Sequence, residues 1–282
     1  MISKEDVEFY KENGYLTVEH VLSEDEVQDL RRVTDDFVEQ SRQVSEHNNV
    51  YDLESDHSPQ NPRVRRIKNP NLHHSIYDRT LRHPAILDIV SQLIGPGIRY
   101  QSSKMNLKCP SVGSPVQWHQ DWSFYPQTND DMLAVGVTID DMTLDNGCLL
   151  IVPGSHLGPV HDHHQEGVFV GAVTDAQFSD SQVIPITVAA GGISIHHVRT
   201  LHASGQNTSA HPRRLMLLEL VALDAWPLRG CVDFDEFNAR ILRGQPTNQP
   251  RVEAVPVRIP EPKHERQGSI YEVQAKFSRP QF

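Results

Sequence analysis

The chain has 282 residues, a formal net charge of −11 and 38% hydrophobic residues. That apolar share is enough for a packed core, and the acidic balance argues against broad nucleic-acid binding, which needs a basic face. No run approaches the ~20 consecutive apolar residues of a bilayer span, so no membrane partner is expected. The three cysteines, Cys109, Cys148 and Cys231, have no paired spacing. They predict neither a disulfide framework nor a zinc motif, and they fit a reducing cytoplasm. Met1-Ile2-Ser3-Lys4-Glu5-Asp6 lacks the basic-then-apolar pattern of a signal peptide, which points the same way.

Helices come first in the chain. Ser3 with Asp6, and Ser23 with Glu26, read as capping boxes. Val27, Leu30, Val33 and Phe37 recur at helical spacing and predict an amphipathic helix over 24–40. Residues 44–62 are polar and rich in Asn, Ser and Pro, and predict a mobile loop. His83-Pro84 opens a further helix, which Gly95-Pro96-Gly97 ends. From residue 98 onward, short apolar runs alternate with Gly, Pro, Asn and Asp. They predict strands over 98–107, 132–139, 148–152, 183–188, 192–197 and 214–223. No helices alternate with these runs, so a parallel α/β sheet is not expected. The order predicts a mainly β (α+β) fold, a barrel or jelly roll with flanking helices. Residues 1–282 read as a single domain: a mainly helical N-terminal part over 1–97, a β core over 98–224, and an extension over 225–282 packed on its outside.

Trp118-His119-Gln120-Asp121 carries the strongest chemical signal. His119 and Asp121 are two apart, so on a strand both point to one face and could hold one metal ion. Such a triplet is common in a chain with 16 histidines, and His161-Asp162-His163 contains another. Trp118 and Trp122 suit a lined pocket and are candidate substrate contacts, although core packing would also place them there. A second histidine ligand would come from the segment 192–202, where His196, His197 and His202 compete. His196 and His197 would face opposite sides of a strand, and spacing does not choose between His197 and His202. Two histidines and one carboxylate would match the ligand set of a non-haem Fe(II) site with open positions. Arg213 and Arg214 would also face opposite ways, one of them solvated or ion-paired. His156 reads as a hydrogen-bonded turn residue, and His161, His163 and His164 as surface or rim residues.

The ordered set Trp118-His119-Gln120-Asp121, Asp145-Asn146-Gly147-Cys148-Leu149, Pro153-Gly154-Ser155-His156, Leu201-His202-Ala203-Ser204-Gly205-Gln206-Asn207 and Pro212-Arg213-Arg214 resembles the phytanoyl-CoA dioxygenase (PhyH) family. The resemblance runs over roughly residues 5–225. It implies a double-stranded β-helix (jelly-roll, cupin-like) core and an Fe(II)- and 2-oxoglutarate-dependent dioxygenase. The implied reaction uses O2 to hydroxylate, or otherwise oxidise, an unactivated C–H bond of a small organic substrate, with release of succinate and CO2. The implied metal ligands, and so the catalytic centre, are His119, Asp121 and His202. The implied 2-oxoglutarate contacts are Arg213, Ser204, Lys104, Arg66 and Gln120. Arg213 would grip the far carboxylate, because a guanidinium offers a rigid fork of donors and stays charged when buried. Related halogenases carry a small residue in the place of Asp121, so the carboxylate favours hydroxylation. Lys104 stands where relatives often carry Met, Val137 where several carry Trp, and Ala203 where the family often has Gly.

The expected partner is a small-molecule substrate, with no nucleic acid, and the expected state is a cytoplasmic monomer or homodimer. Two rival readings are a cupin-like metalloenzyme that does not use 2-oxoglutarate and a non-catalytic binding or sensor protein on the same scaffold. Arg213 with Ser204 argues against the first, and a complete ligand set argues against the second.

Overall fold

The computed structural model describes residues 1–111, 113–175, 182–229, 233–258, 269–275, 277–278 and 280. Cys231 lies outside them. The N-terminal part contains α1 (Lys4–Asn13), β1 (Tyr15–Val18), α2 (Glu24–Gln40), β2 (Tyr51–Leu53), β3 (Val64–Lys68), α3 (Ser75–Leu81) and α4 (Pro84–Ile94). Both capping boxes form, at Ser3 and Ser23, and α2 has the bounds its periodicity predicts. Its Val27, Leu30, Val33 and Phe37 are buried, each contributing about 1.5–3 kcal/mol of apolar burial.

The core elements are β4 (Ile98–Lys108), β5 (Val116–His119), β6 (Met132–Thr138), β7 (Leu149–Ile151), β8 (His164–Gln165), β9 (Val168–Phe169), β10 (Ile184–Ile186), β11 (Ile193–His197), β12 (His202–Ser204) and β13 (Arg213–Ala222). After them come α5 (Phe234–Ala239), β14 (Ile241–Arg243) and α6 (Ile270–Gln274). One large antiparallel sheet runs in the order β1-β11-β6-β13-β4-β3-β2, with β14 also paired to β4. A four-stranded sheet runs β10-β7-β12-β5, and β8 and β9 form a separate pair. The fold is mainly β, and this pair of sheets is the jelly-roll core expected of it.

Alternation along each strand divides the large sheet into two faces. One face carries Ile67, Met105, Val135, Val137, Ile195, Met216, Leu218 and Leu220, which pack with the apolar faces of α2, α3 and α4 in one cluster. The opposite face meets the smaller sheet, where Leu215 packs against Leu149, Ile151 and Ile186. That inner face also carries polar residues: Arg66, Lys104, Asn106, His196 and Glu219 line a cavity between the sheets. Asn146-Gly147 makes the expected turn below it. Gly147 has φ 79°, and a Cβ there would lie 2.6 Å from the Gly205 carbonyl oxygen.

Three expectations change. The N-terminal part contributes three strands as well as helices, because the short β1, β2 and β3 pair onto the large sheet. The stretch 44–62, expected to be a mobile loop, contains β2, whose three residues are all buried. The C-terminal extension does not simply wrap the outside, since Ile270 and Tyr271 of α6 reach the central cavity.

Candidate metal and cosubstrate site

Strand β5 ends at His119, one residue before the site turns. Gln120 keeps an extended backbone (φ −123°, ψ 126°), and Asp121 opens a 3-10 turn. Alternation therefore persists for one more step and returns Asp121 to the side of His119. His202 opens β12 and pairs directly across from His119 in the antiparallel register. The two imidazole centroids are 4.0 Å apart. Asp121 Oδ1 lies 3.7 Å from His119 Nε2, and Asp121 Oδ2 lies 3.8 Å from His202 Nε2. All three side chains are buried, and their ligand atoms fall within 4.8 Å of one another, so the group could hold a metal ion.

The imidazoles are oriented from behind. His119 Nδ1 is 2.8 Å from the Gln117 carbonyl, and His202 Nδ1 is 2.9 Å from the Thr200 carbonyl. A carbonyl can only accept, so both rings carry the proton on Nδ1 and present the Nε2 lone pair to the site. Burial pushes both histidines below the ordinary imidazole range, which keeps them neutral as a metal requires. Burial would raise the Asp121 carboxyl, but the hydrogen bond it accepts from His196 favours the ionised form and helps hold the group down. Neutral imidazole nitrogens and one ionised carboxylate are a donor set suited to iron(II).

A cavity of about 60 Å³ opens beside these ligands, lined by Arg66, Lys104, Ser204, Arg213 and Tyr271 among others. Arg213 is 3% exposed, and its Nε and Nη1 have no partner among the described residues. A buried guanidinium with orphaned donors fits an anion that completes it, such as a carboxylate. Arg214, the next residue, faces the other way and forks onto Asp140 at 2.7 and 2.8 Å. Lys104 is paired with Glu219 and also donates to Tyr125 Oη at 3.1 Å. Burial opposes the ammonium, but the Glu219 carboxylate outweighs it and keeps Lys104 charged.

Residues 10–215 match the family described as Phytanoyl-CoA dioxygenase (PhyH). The chain belongs to the PhyH family. It is 35% identical, over 96% of both chains, to a protein of Stutzerimonas stutzeri described as a probable alpha-ketoglutarate-dependent hypophosphite dioxygenase. It is 28% identical to an L-proline trans-4-hydroxylase of Streptomyces griseoviridis, over 74% of this chain and 82% of that one. Among solved structures, a non-heme alpha-ketoglutarate-dependent carbocyclase, SnoK of nogalamycin biosynthesis, aligns with TM-score 0.64 and 26% identity, over 88% of this chain and 94% of that one. EctD from S. alaskensis, solved with 2-oxoglutarate and 5-hydroxyectoine, shares the fold at TM-score 0.64 and 20% identity, over 79% and 77% of the two chains. The protein is an Fe(II)- and 2-oxoglutarate-dependent dioxygenase.

The PhyH motifs do not all meet in the cavity. Of the residues singled out from sequence, His119, Asp121, His202, Arg66, Lys104, Ser204 and Arg213 line it. Gln120 does not, and its expected contact with 2-oxoglutarate is withdrawn. The alternation that joins His119 to Asp121 turns Gln120 away from the cavity into a buried position, where its amide donates to the Pro159 and Arg199 carbonyls and accepts from the His161 N–H. Trp118 is not a cavity residue either: it packs with Val152, Val173, Leu201 and Ala203. Trp122 donates to the Pro256 carbonyl at 2.7 Å and lines a separate, wider cleft. Val137 lies on the helix-covered face, so its departure from the family pattern does not reshape the metal cavity. Of the competing histidines, His197 turns away and packs 5.1 Å from His156.

Sequence reasoning missed the roles of His196, Glu219, Asn106 and Tyr271. Glu219 could have been noticed as the lone acid in the apolar strand Leu215-Met216-Leu217-Leu218-Glu219-Leu220. Tyr271 gave no such signal.

Proposed function

We propose that His119, Asp121 and His202 hold Fe(II), that Arg213 with Ser204 and Arg66 receives the far carboxylate of 2-oxoglutarate, and that the substrate is a small oxyanion of the phosphorus class. Iron bound there supplies O2 activation coupled to decarboxylation of 2-oxoglutarate, placing one oxygen atom in succinate and the other in the substrate. The remaining work belongs to the chain. The Gln117 and Thr200 carbonyls aim the two imidazoles. Arg213 orients the cosubstrate, and the sheets on either side exclude water.

The observation that carries the substrate reading is the 35% identity, over 96% of both chains, to the hypophosphite dioxygenase-like relative. The cavity supports it. Lys104 lines the cavity and adds a hydrogen-bond donor, its charge being paired with Glu219. It has three donors, two of them directed to Glu219 and Tyr125, which leaves one for an oxyanion beside the metal.

Succinate release with Fe(II) and 2-oxoglutarate tests the proposal, using hypophosphite, phosphite, methylphosphonate, L-proline, ectoine and phytanoyl-CoA as candidate substrates. A phosphorus oxyanion is expected to stimulate release, and Asp121→Ala is expected to abolish it. Stimulation by proline, ectoine or the thioester but by no phosphorus compound would overturn the substrate class while leaving the dioxygenase intact. Full activity in Asp121→Ala would remove the ligand assignment.

A further inference from the structure

We propose that Tyr271, on the C-terminal helix α6, donates its phenol hydrogen bond to the same 2-oxoglutarate carboxylate that Arg213 receives, making α6 a wall of the cosubstrate site. The inference rests on the cosubstrate reading above. It concerns a segment beyond residues 10–215, the part that matches the family.

Tyr271 is 8% exposed and lines the metal cavity together with Arg66, Ser204 and Arg213. Its ring is gripped by two guanidinium groups, with the Arg65 carbon 4.8 Å and the Arg66 carbon 5.2 Å from the ring centroid. Arg66 is itself held by Asn106, which accepts from its Nε at 2.9 Å. The phenol is close enough to Arg213 and Arg66 to feel both charges. Burial pushes its pKa up and those two cations only partly oppose it, so it stays protonated and acts as a donor. An anion that satisfies the orphaned donors of Arg213 therefore meets a second donor on the same wall.

A helix of five residues has no stability of its own, so α6 must be seated by specific contacts. Its Glu272 carboxylate accepts from the Ser269 N–H at 2.8 Å. Gln274, 8% exposed, accepts from the Gln117 N–H at 2.9 Å and donates to the Gly171 carbonyl at 2.8 Å. A further bond of 3.3 Å reaches the Gln117 carbonyl, the atom that orients His119. The helix is thus stitched to the strand that carries a metal ligand, and Tyr271 is held over the cavity by that stitching. Any cosubstrate that bonds to Tyr271 stabilises the seated helix by the same amount as the helix stabilises the cosubstrate.

Anaerobic titration of the Fe(II) protein with 2-oxoglutarate, followed by the visible absorption of the chelate, measures the affinity directly. Tyr271→Phe is expected to weaken binding about ten-fold, the loss of one hydrogen bond to a charged group, with an unchanged melting temperature. The KM for 2-oxoglutarate should rise with it, and kcat should change much less. Gln274→Ala should weaken binding in the same direction without touching the cosubstrate. Wild-type affinity in Tyr271→Phe would overturn the proposal. A wild-type protein that gives no chelate band would instead overturn the cosubstrate reading on which it rests.

Discussion

His196 Nε2 lies 3.2 Å from Asp121 Oδ2, so a third imidazole addresses the carboxylate of the metal site. A carboxylate only accepts, which puts the proton on His196 Nε2 and makes this ring a donor. His196 Nδ1 is buried without a partner among the described residues, and the ring stands 4.2 Å from that of His202. With one oxygen of Asp121 engaged by His196, the other would be the one offered to a metal ion.

His196→Phe, which removes the donor and keeps the bulk, should lower metal affinity by about 10–100-fold, the usual loss when a residue behind a ligand is removed. His196→Gln keeps an N–H donor and should restore part of it. Competitive metal titration against a chelator measures both. Equal affinities for wild type and His196→Phe would remove this role.

The two adjacent arginines should separate cosubstrate binding from stability. Arg213→Lys keeps the charge but loses the fork, and should raise the KM for 2-oxoglutarate by about ten-fold or more, with little effect on unfolding. Arg214→Ala takes the Arg214 partner from Asp35 and leaves Asp140 with Arg31 at 3.4 Å, and should cost on the order of 1–3 kcal/mol in urea unfolding without moving that KM. A reversed pattern would mean that the pocket arginine is assigned to the wrong residue.

That pair also shows what the sequence could reveal. Strand alternation alone separates Arg213 from Arg214, and capping with periodicity sets α2 from Glu24 to Gln40. The same alternation shows His119 and Asp121 converging, but it does not settle the aromatics beside them, because an apolar side chain fits a core, as Trp118 does, as readily as a cleft, as Trp122 does. Strands β1, β2 and β3 were hidden because segments of three to five residues gain order from the sheet they join, a long-range effect. The Lys104–Glu219 pair is invisible for a similar reason: its members are 115 residues apart and meet only through the β4–β13 pairing. Tyr271 is hidden most deeply, since its place depends on where a five-residue helix docks.

Acid stability should report on His163, a residue read from sequence as part of a surface loop. It is 1% exposed, and burial pulls its pKa down to about 3. Its Nε2 accepts from the Gln120 N–H at 3.0 Å, and its Nδ1 lies 2.8 Å from the His161 carbonyl, so the neutral ring braces the turn between His119 and Asp121. In the unfolded chain the same group titrates near the ordinary value of about 6.5. Its stabilising effect is therefore complete above about pH 6.5 and is lost as the pH falls toward about 3, because the unfolded state takes up a proton that the folded state refuses. The slope contributed by one such group approaches about 1.4 kcal/mol per pH unit. Urea unfolding of wild type and His163→Gln at several pH values between 8 and 5 measures it. The variant should be less stable at pH 8, and its stability should fall less steeply on acidification. Parallel curves for the two proteins would show that His163 is not held neutral in the fold.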